Sequence, residues 1–385
     1  MNKKIIRVTT IPASLRGLLK GQLRFMSNHF EVIGISSDQN GLLEEFGLSE
    51  GITTKTVEMT RNITPIQDIK GVYKLYKIFK KEKPDIVHTH TPKAGTLGMF
   101  AAKLAGVPNR LHTIAGLPLV EETGLKRKLL NAVEKFTYYC ATKIYPNSYG
   151  LQDIVLNHKF TRTHKLHVIG NGSSNGINTN YFNPEHFDEL SKKVLRKELG
   201  IKPDDFVYIF VGRLVVDKGI TELVSAFSKI NQKYNRSKLL LVGVFEPHLD
   251  PLAPSTTEEI KNNKNIIHTG WQNDVRPYFY ISNALTFPSY REGFPNVVMQ
   301  AGAMELASIV TDINGCNEIV RHNENGVIVP VKNTERLFEA MQDYILKTEQ
   351  DLNAMGKKSR EHIVKRYDQQ FVWDALLEEY NKIIN

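Results

Sequence analysis

The sequence has few cysteines and no long apolar run, and both shortages exclude classes of protein. Its two cysteines, Cys140 and Cys316, lie far apart without CxxC or Cys/His spacing. This argues against a disulfide framework or a structural zinc site and fits a reducing compartment. No apolar stretch approaches the roughly 20 residues that a membrane helix needs. The first residues, MNKKIIRVTT, enter a strand-like run without the apolar stretch of a signal peptide, so we expect a cytoplasmic protein.

Positive charge is concentrated in the first half of the chain. Residues 1–180 hold 25 Lys and Arg against 13 Asp and Glu, whereas residues 181–385 hold 25 against 28. A basic half indicates an anionic partner for that half, such as a membrane leaflet or a diphosphate-bearing acceptor. A basic surface that is simply solvated is an equal alternative. The sequence has no nucleic-acid-binding motif, so we expect no nucleic acid partner.

Short β-branched runs alternate with longer helical patterns in both halves, which predicts parallel sheets covered by helices on both faces. The predicted elements include a helix at Leu15–Met26 and a strand at Lys165–Ile169. Residues 170–187, GNGSSNGINTNYFNPEHF, have the composition of a linker. We therefore expect a Rossmann-like domain over 1–180, a second over 181–365, and a C-terminal helix over 366–385 that can cross back to the first domain.

The segment Arg291–Gln300, REGFPNVVMQ, carries the strongest functional pattern. A predicted strand leads into a turn with Gly293, and Pro295 follows at a first helical position, where its fixed φ suits a helix start. The free N–H groups of that helix would face the strand's carboxyl end and bind phosphate. Glu292 can accept hydrogen bonds from sugar hydroxyls, and Gln300 can reach a ribose. The alternative is an ordinary strand–turn–helix in which Glu292 caps the helix.

A second pattern, VGRLVVDKGI at Val211–Ile220, places two cations near a strand end. Arg213 follows the strand and Lys218 begins the next helix. Two such cations suit a diphosphate and would stabilise a departing nucleoside diphosphate. The alternative is that both are surface charges, with Asp217 pairing one of them. Because both patterns follow strands of one predicted domain, we expect them to form one site.

These motifs belong to an ordered set that resembles a known family. The set consists of PDIVHTHTPKAG (Pro84–Gly95), LHTIAGLP (Leu111–Pro118), GRLVVDKGI, LLLVG (Leu239–Gly243), HTGWQNDV (His268–Val275), EGFPNVVMQ and GCNEIV (Gly315–Val320). It resembles the retaining glycosyltransferases of family 4 over almost the whole chain. The resemblance implies the α/β GT-B fold, with two facing Rossmann-like domains and a deep cleft between them. It also implies that the donor's own phosphate oxygen takes the acceptor proton and that no metal is needed, and no DxD motif argues otherwise.

The resemblance assigns roles to matching residues. It implies that Arg213 and Lys218 hold the donor diphosphate and that Glu292 contacts hydroxyls of the transferred sugar. His112 would lie on the acceptor side near the anomeric carbon and complete the catalytic set. Further donor contacts are implied for Gly293, Phe294, Pro295, Asn296, Val297 and Gln300.

Two departures of the sequence from the family pattern bear on ligand contacts, whereas a third, at Met304–Ser308, is expected to change the structure only locally. Gln300 stands where the family has its second glutamate, and a neutral amide can still bond a ribose hydroxyl. The glycine-rich turn after the first strand is replaced by PASL at Pro12–Leu15, which offers fewer free backbone amides. We therefore expect Ser14 and Arg16 to supply acceptor-side contacts instead.

Several polar residues of the first half have competing interpretations. His88 and His90 alternate along a strand end and so share a face. With His112 they resemble a metal cluster, but no carboxylate or cysteine stands at ligand spacing, so we expect no metal and place His90 on the acceptor side. Lys93 either faces the acceptor's charge or points into solvent. The basic and apolar segment Leu117–Lys143 either lies on a membrane or packs on its own sheet.

Together these patterns predict a retaining, metal-independent hexosyltransferase that needs no cofactor beyond its nucleotide-sugar co-substrate. The N-terminal TTIPASLRGLLKGQL resembles that of bacterial capsule and O-antigen transferases. This implies a UDP-sugar donor, with an N-acetylhexosamine or related sugar, and a polyprenyl-diphosphate-linked saccharide or other glycan acceptor. It also implies a peripheral location on the inner face of the plasma membrane. The alternatives are a sugar-nucleotide epimerase or hydrolase of similar fold, or a non-catalytic nucleotide-sugar-binding subunit.

Overall fold

The computed structural model describes residues 3–117, 119, 123–248 and 250–384, so Pro118 of the LHTIAGLP motif lies outside the described residues. The chain divides into two compact units. Unit 1 comprises residues 1–176 together with 369–385, and unit 2 comprises residues 177–368. The chain therefore passes between the units at 176/177 and 368/369. The sequence predicts these two boundaries a few residues away, at 180/181 and 365/366.

Unit 1 is built on a parallel sheet of six strands. The strands are β1 (Lys4–Val8), β2 (Glu31–Ser36), β3 (Thr53–Thr56), β4 (Ile86–Thr89), β5 (Asn109–Ile114) and β6 (Lys143–Pro146). The helices are α1 (Pro12–Leu19), α2 (Gln22–Ser27), α3 (Leu42–Glu50), α4 (Pro65–Glu82), α5 (Pro92–Ala105), α6 (Gly124–Cys140) and α7 (Tyr149–Asn157). The spatial order is β3-β2-β1-β4-β5-β6. This order reverses direction between β1 and β4, which is the switch point where ligands of such sheets bind.

Two predicted elements of unit 1 are wrong. The helix predicted at Leu15–Met26 is broken at Gly21, which has φ of 80° and separates α1 from α2. A Cβ on Gly21 would lie 2.8 Å from the ring of Trp373, so glycine also admits that ring. The strand predicted at Lys165–Ile169 forms only one isolated bridge, between Leu166 and Ile144. The Lys165 ammonium donates to the carbonyls of residues 138 and 141, which holds this segment against the end of α6.

Unit 2 repeats the same architecture. Its strands are β7 (Phe206–Val211), β8 (Ser237–Val242), β9 (Ile266–Gly270), β10 (Ala284–Phe287), β11 (Ser308–Thr311) and β12 (Gly326–Val329). Its helices are α8 (Glu189–Glu198), α9 (Ile220–Lys233), α10 (Pro254–Asn262), α11 (Arg276–Tyr280), α12 (Asn296–Ala303), α13 (Cys316–Ile319), α14 (Thr334–Leu346) and α15 (Glu349–Tyr367). The order is β12-β11-β10-β7-β8-β9, with the switch point between β7 and β10.

The strands are apolar because helices cover both faces of each sheet. In β7, the sequence FVYIFV is buried throughout except for its half-buried ends, as a central parallel strand requires. The last helix, α16 (Gln369–Ile384), belongs to unit 1. Its Leu376 and Tyr380 join the buried cluster that holds Ile5 and Leu15. No helix in the described part of the chain is both long and apolar enough to span a bilayer.

Candidate functional site

The loops that follow β7 and β10 meet at the switch point of unit 2. The two strands pair directly, with Leu285 beside Ile209. Lys218 ends a short 3-10 turn just before α9, and its ammonium contacts the Glu292 carboxylate in the loop after β10. Two motifs that lie 74 residues apart in sequence are thus joined by this ion pair and by a second one, in which the Arg291 guanidinium donates to the Asp217 carboxylate over 2.9 Å.

The Lys218–Glu292 pair is partly buried. The two side chains are 14% and 17% exposed. The Ser289 hydroxyl donates to the same carboxylate oxygen of Glu292 over 3.0 Å. The Lys218 ammonium also lies 5.9 Å from the centre of the Phe287 ring, where a cation is attracted to the aromatic face. Sequence reasoning missed Ser289, whose only signal was its position at the end of a strand.

The Glu292 carboxylate also acts electrostatically on Arg213, whose side chain is more exposed than that of Lys218. Its guanidinium donates to Glu246 over 2.7 Å, and the two side chains are 46% and 29% exposed. An exposed pair of this kind contributes at most about 1 kcal/mol. A diphosphate can therefore replace Glu246 at little cost. Glu246 was also missed, because nothing in its sequence context marks it.

The start of α12 leaves backbone N–H groups free beside these side chains. Pro295 is the N-cap residue and the helix begins at Asn296, so the proline lies one residue earlier than predicted. Of the described residues, none caps this helix start with its side chain, and Glu292 pairs with Lys218 instead of capping it. The free N–H groups and the helix dipole make this end suitable for an anion.

Two glycines fix the backbone of the site. Gly219 has φ of 69°, and a Cβ there would lie 2.1 Å from the carbonyl oxygen of Pro288. Gly315 has φ of 79°, and a Cβ there would lie 2.6 Å from the carbonyl oxygen of Gly293. The neighbouring Asn314 amide donates to that same oxygen over 3.2 Å. These close approaches set the loop after β10 against the starts of α9 and α13.

The remaining predicted donor residues differ in how far their side chains are exposed to solvent. Asn296 is exposed, and Val297 and Gln300 are half-buried on α12. Phe294 is buried, with its ring centre 5.1 Å from that of Tyr367. Because the Phe294 side chain belongs to the core, only its backbone is available to a ligand.

Unit 1 presents a different set of residues at its own switch point. The hydroxyls of Thr10 and Thr91 lie 2.7 Å apart and tie the loop after β1 to the loop after β4. The helix α1 follows almost at once, with Ser14 half-exposed and Arg16 exposed in its first turns. Lys93, at the start of α5, donates to both carboxylate oxygens of Asp68 at 2.7 and 2.6 Å. Lys93 is only 13% exposed, so the alternative that it points into solvent is wrong.

The three histidines divide between the two faces of the sheet in unit 1. His88 bonds the Tyr380 hydroxyl at 2.6 Å, and its ring centre lies 4.2 Å from that of the buried His90. His112 instead bonds Thr89 at 2.7 Å and packs against Gly95, where a Cβ would lie 2.4 Å from its ring. Burial lowers the pKa of His112 to about 4, so the ring is neutral at pH 7. In the described part of the chain, no group of three His, Cys, Asp or Glu side chains could hold a metal ion.

The basic segment Leu117–Lys143 is largely the helix α6. One face of α6 is buried, through Thr137 and Tyr138. Its opposite face leaves Leu125 83% exposed and Leu129 51% exposed. The helix therefore packs on its own unit and also presents apolar residues to the surroundings.

Comparison with known proteins places the chain in a family. Residues 15–148 match the family described as Glycosyl transferase 4-like, and residues 191–362 match Glycosyl transferases group 1. The capsular polysaccharide biosynthesis glycosyltransferase CapM of Staphylococcus aureus is 30% identical over 383 residues, covering 100% of this chain and 98% of CapM. The UDP-Gal:alpha-D-GlcNAc-diphosphoundecaprenol alpha-1,3-galactosyltransferase of Escherichia coli is 30% identical over 380 residues, covering 95% and 93%.

A solved structure shows the same fold. Anabaena HepE in complex with UDP superposes with a TM-score of 0.82 at 16% identity, covering 99% of this chain and 100% of that chain. At this identity the likeness speaks for the fold alone. The predicted resemblance to a glycosyltransferase is confirmed by the two 30% relatives, and the epimerase, hydrolase and binding-subunit alternatives find no support. The chain belongs to the glycosyltransferase family of these group 1 and 4-like models, and it has the GT-B fold of two Rossmann-like units.

Proposed function

We propose that this glycosyltransferase moves a sugar from a UDP-sugar to a polyprenyl-diphosphate-linked saccharide, with retention and without a metal ion, in the synthesis of a capsule or O-antigen polysaccharide. The observation that carries the proposal is the contact of Lys218 with Glu292 beside the free start of α12. The loop before α9 supplies a cation for phosphate, and the loop after β10 supplies a carboxylate for sugar hydroxyls.

The leaving diphosphate is the group this arrangement suits best. Arg213 can exchange Glu246 for phosphate oxygens, and the backbone N–H groups of Asn296 and Val297 add uncharged donors. Fixed donors aimed at developing negative charge lower the barrier to departure of the diphosphate. The same charge would otherwise call for a divalent cation, so we expect turnover to persist in EDTA.

Different observations favour uridine as the nucleotide and an N-acetylhexosamine as the transferred sugar. The Escherichia coli relative is named for UDP-Gal, and HepE was crystallised with UDP, which favours UDP as the carrier. Gln300 on α12 is half-buried and can donate or accept at a ribose hydroxyl. An N-acetylhexosamine or related sugar as the transferred group stays a prediction from the sequence.

His112 receives a hydrogen-bonding role in this proposal. Its pKa of about 4 makes it a weak proton acceptor at pH 7. The acceptor proton passes instead to an oxygen of the departing diphosphate, and His112 positions a hydroxyl of the sugar or acceptor. Ser14 and Arg16 are proposed to contact the acceptor from α1.

A membrane-bound acceptor fits the outer surface of unit 1. On α4, Ile66, Ile69 and Tyr73 are 74%, 72% and 56% exposed. Their i, i+3, i+7 spacing puts them on one side of the helix, while Leu75 and Phe79 bury its other side. The helix also carries lysines at 70, 74, 77, 80 and 81. Exposed apolar residues among lysines are typical of a helix that lies on an anionic membrane surface.

The acceptor is tested by following UDP release from a panel of UDP-sugars. We expect release to depend on detergent-solubilised polyprenyl-diphosphate N-acetylglucosamine and to be poor with the free saccharide. Equal turnover of both acceptors would overturn the lipid-linked assignment, and acceptor-independent release would indicate hydrolysis. The anomeric coupling constant of the product, measured by NMR with and without EDTA, tests retention and metal independence.

Membrane association is tested separately with vesicles. We expect the protein to sediment with phosphatidylglycerol vesicles and not with phosphatidylcholine vesicles. The double variant Ile66→Glu/Ile69→Glu should remove this binding. Leu190→Glu, at a residue of unit 2 that is 70% exposed, is the matched control and should not. Equal sedimentation of both variants would contradict a membrane role for α4.

A further inference from the structure

A second polar site lies inside unit 1, separate from the residues assigned above to the donor. It is a cavity of about 20 Å³. Arg7 of β1 and His90 of the loop after β4 line it, together with Asn147 and Ser174. Residues of α16 close it, among them Leu376. The cavity is therefore bounded by the sheet, the segment before unit 2 and the last helix of the chain.

Arg7 brings a buried positive charge to this cavity. The residue is 1% exposed and makes no ion pair with any residue that the structure describes. Its Nε donates to His90 Nε2 over 3.0 Å, and its Nη2 donates to Gln22 over 2.6 Å. Its guanidinium carbon also lies 5.9 Å from the centre of the Tyr380 ring. All of these partners are neutral, so the guanidinium charge lacks a compensating anion, and burying it alone is costly.

The polar atoms left without partners are mainly donors. Arg7 Nη1 has no acceptor among the described residues, and neither has His90 Nδ1. Because a guanidinium can only donate, His90 Nε2 must accept, and the neutral ring then carries its proton on Nδ1. The Ser174 hydroxyl is also without a partner and can donate. Asn147 Oδ1 is likewise unpaired, and a half-turn of its amide would present the NH2 group instead.

We propose that this cavity binds one small monovalent anion, of chloride or bromide size, as the counter-ion of Arg7. A volume of about 20 Å³ holds one particle of roughly the size of a water molecule. Phosphate and sulfate, with four oxygens each, do not fit. A single water would satisfy two of the donors and leave the charge uncompensated. The anion would link β1, the loop after β4 and the segment covered by α16, and so stabilise unit 1.

The direct test is bromide scattering in crystals of the full chain soaked in sodium bromide. We expect an anomalous peak in contact with Arg7 Nη1 and His90 Nδ1. The second test replaces sodium gluconate by sodium chloride at constant ionic strength. Above the dissociation constant, the Tm should rise by about 3 °C for each tenfold increase in chloride.

Variants separate a specific ion from a general salt effect. Arg7→Met should lose the chloride dependence of the Tm, whereas Arg162→Met, at an exposed arginine of the same unit, should keep it. If Arg7→Met fails to fold, Asn147→Asp still tests the site. It places a carboxylate at the cavity, so it should raise the Tm in gluconate and abolish the response to chloride. A cavity without bromide, or a Tm equal in chloride and gluconate, would overturn the proposal.

Discussion

The substitution Glu292→Gln tests the central contact of the proposed donor site. Glutamine keeps the shape of the side chain and can still accept from Ser289, but it removes the negative charge that holds Lys218. The pair is less than one-fifth exposed, so its charge-assisted bond is worth about 1.5–3 kcal/mol. The neutral amide should retain part of that energy, and the difference is about 1 kcal/mol.

This difference predicts opposite effects on binding and turnover. UDP would no longer compete with Glu292 for the Lys218 ammonium, so its Kd should fall about fivefold. Turnover should fall about 100-fold or more, because the transferred sugar loses a charged acceptor that is positioned in the site. A loss of general stability cannot produce tighter UDP binding together with slower transfer.

Isothermal titration with UDP and a UDP-release assay measure the two effects. The control is Glu324→Gln, which removes a carboxylate from a surface pair in the same unit, 62% exposed, and should change neither quantity. Wild-type turnover of Glu292→Gln would remove Glu292 from the reacting site. Weaker UDP binding would contradict the competition between Glu292 and the diphosphate for Lys218.

Four further outcomes follow from the described contacts. Glu246→Gln should free Arg213 and tighten UDP binding severalfold with turnover kept, and weaker binding by titration would contradict this. Gln300→Glu should be tolerated in the UDP-release assay and should bind UDP at least as tightly as the wild type. Gly219→Ala should destabilise the protein by at least about 2 kcal/mol, seen as a lower Tm, because its methyl group would lie 2.1 Å from a backbone oxygen. The pKa of His112 is lowered to about 4 by burial, so between pH 6.5 and 4 this histidine is protonated in the unfolded chain but neutral in the folded one. The free energy of unfolding, and with it the Tm, should therefore fall as the pH falls through that window. A Tm that is equally sensitive to acid in His112→Asn would contradict this contribution.

The architecture and the two loops of the proposed donor site follow from the sequence pattern alone. The alternation of apolar runs and helical patterns forces parallel sheets, since a strand such as FVYIFV can be buried only between two helical layers. Arg213 and Glu292 belong to the loops that follow two strands of one sheet, and the sequence pattern predicts them at the same sheet edge because carboxyl ends of parallel strands share an edge. The predictions that were wrong concern local backbone structure. Pro295 is the N-cap residue of α12 and not its first helical residue, and Gly21 divides a predicted helix in two.

Which charges meet depends on the tertiary structure. Lys218 and Glu292 are 74 positions apart, and Asp68 and Lys93 belong to different helices, so no spacing rule pairs them. The environment of Arg7 shows this most clearly. In the sequence it is one arginine in an apolar strand, KIIRV, and nothing marks it as different from a surface cation. Its buried charge becomes evident only when β1, β4 and α16 close around it, because desolvation and the absence of a counter-charge are properties of packing and not of sequence order.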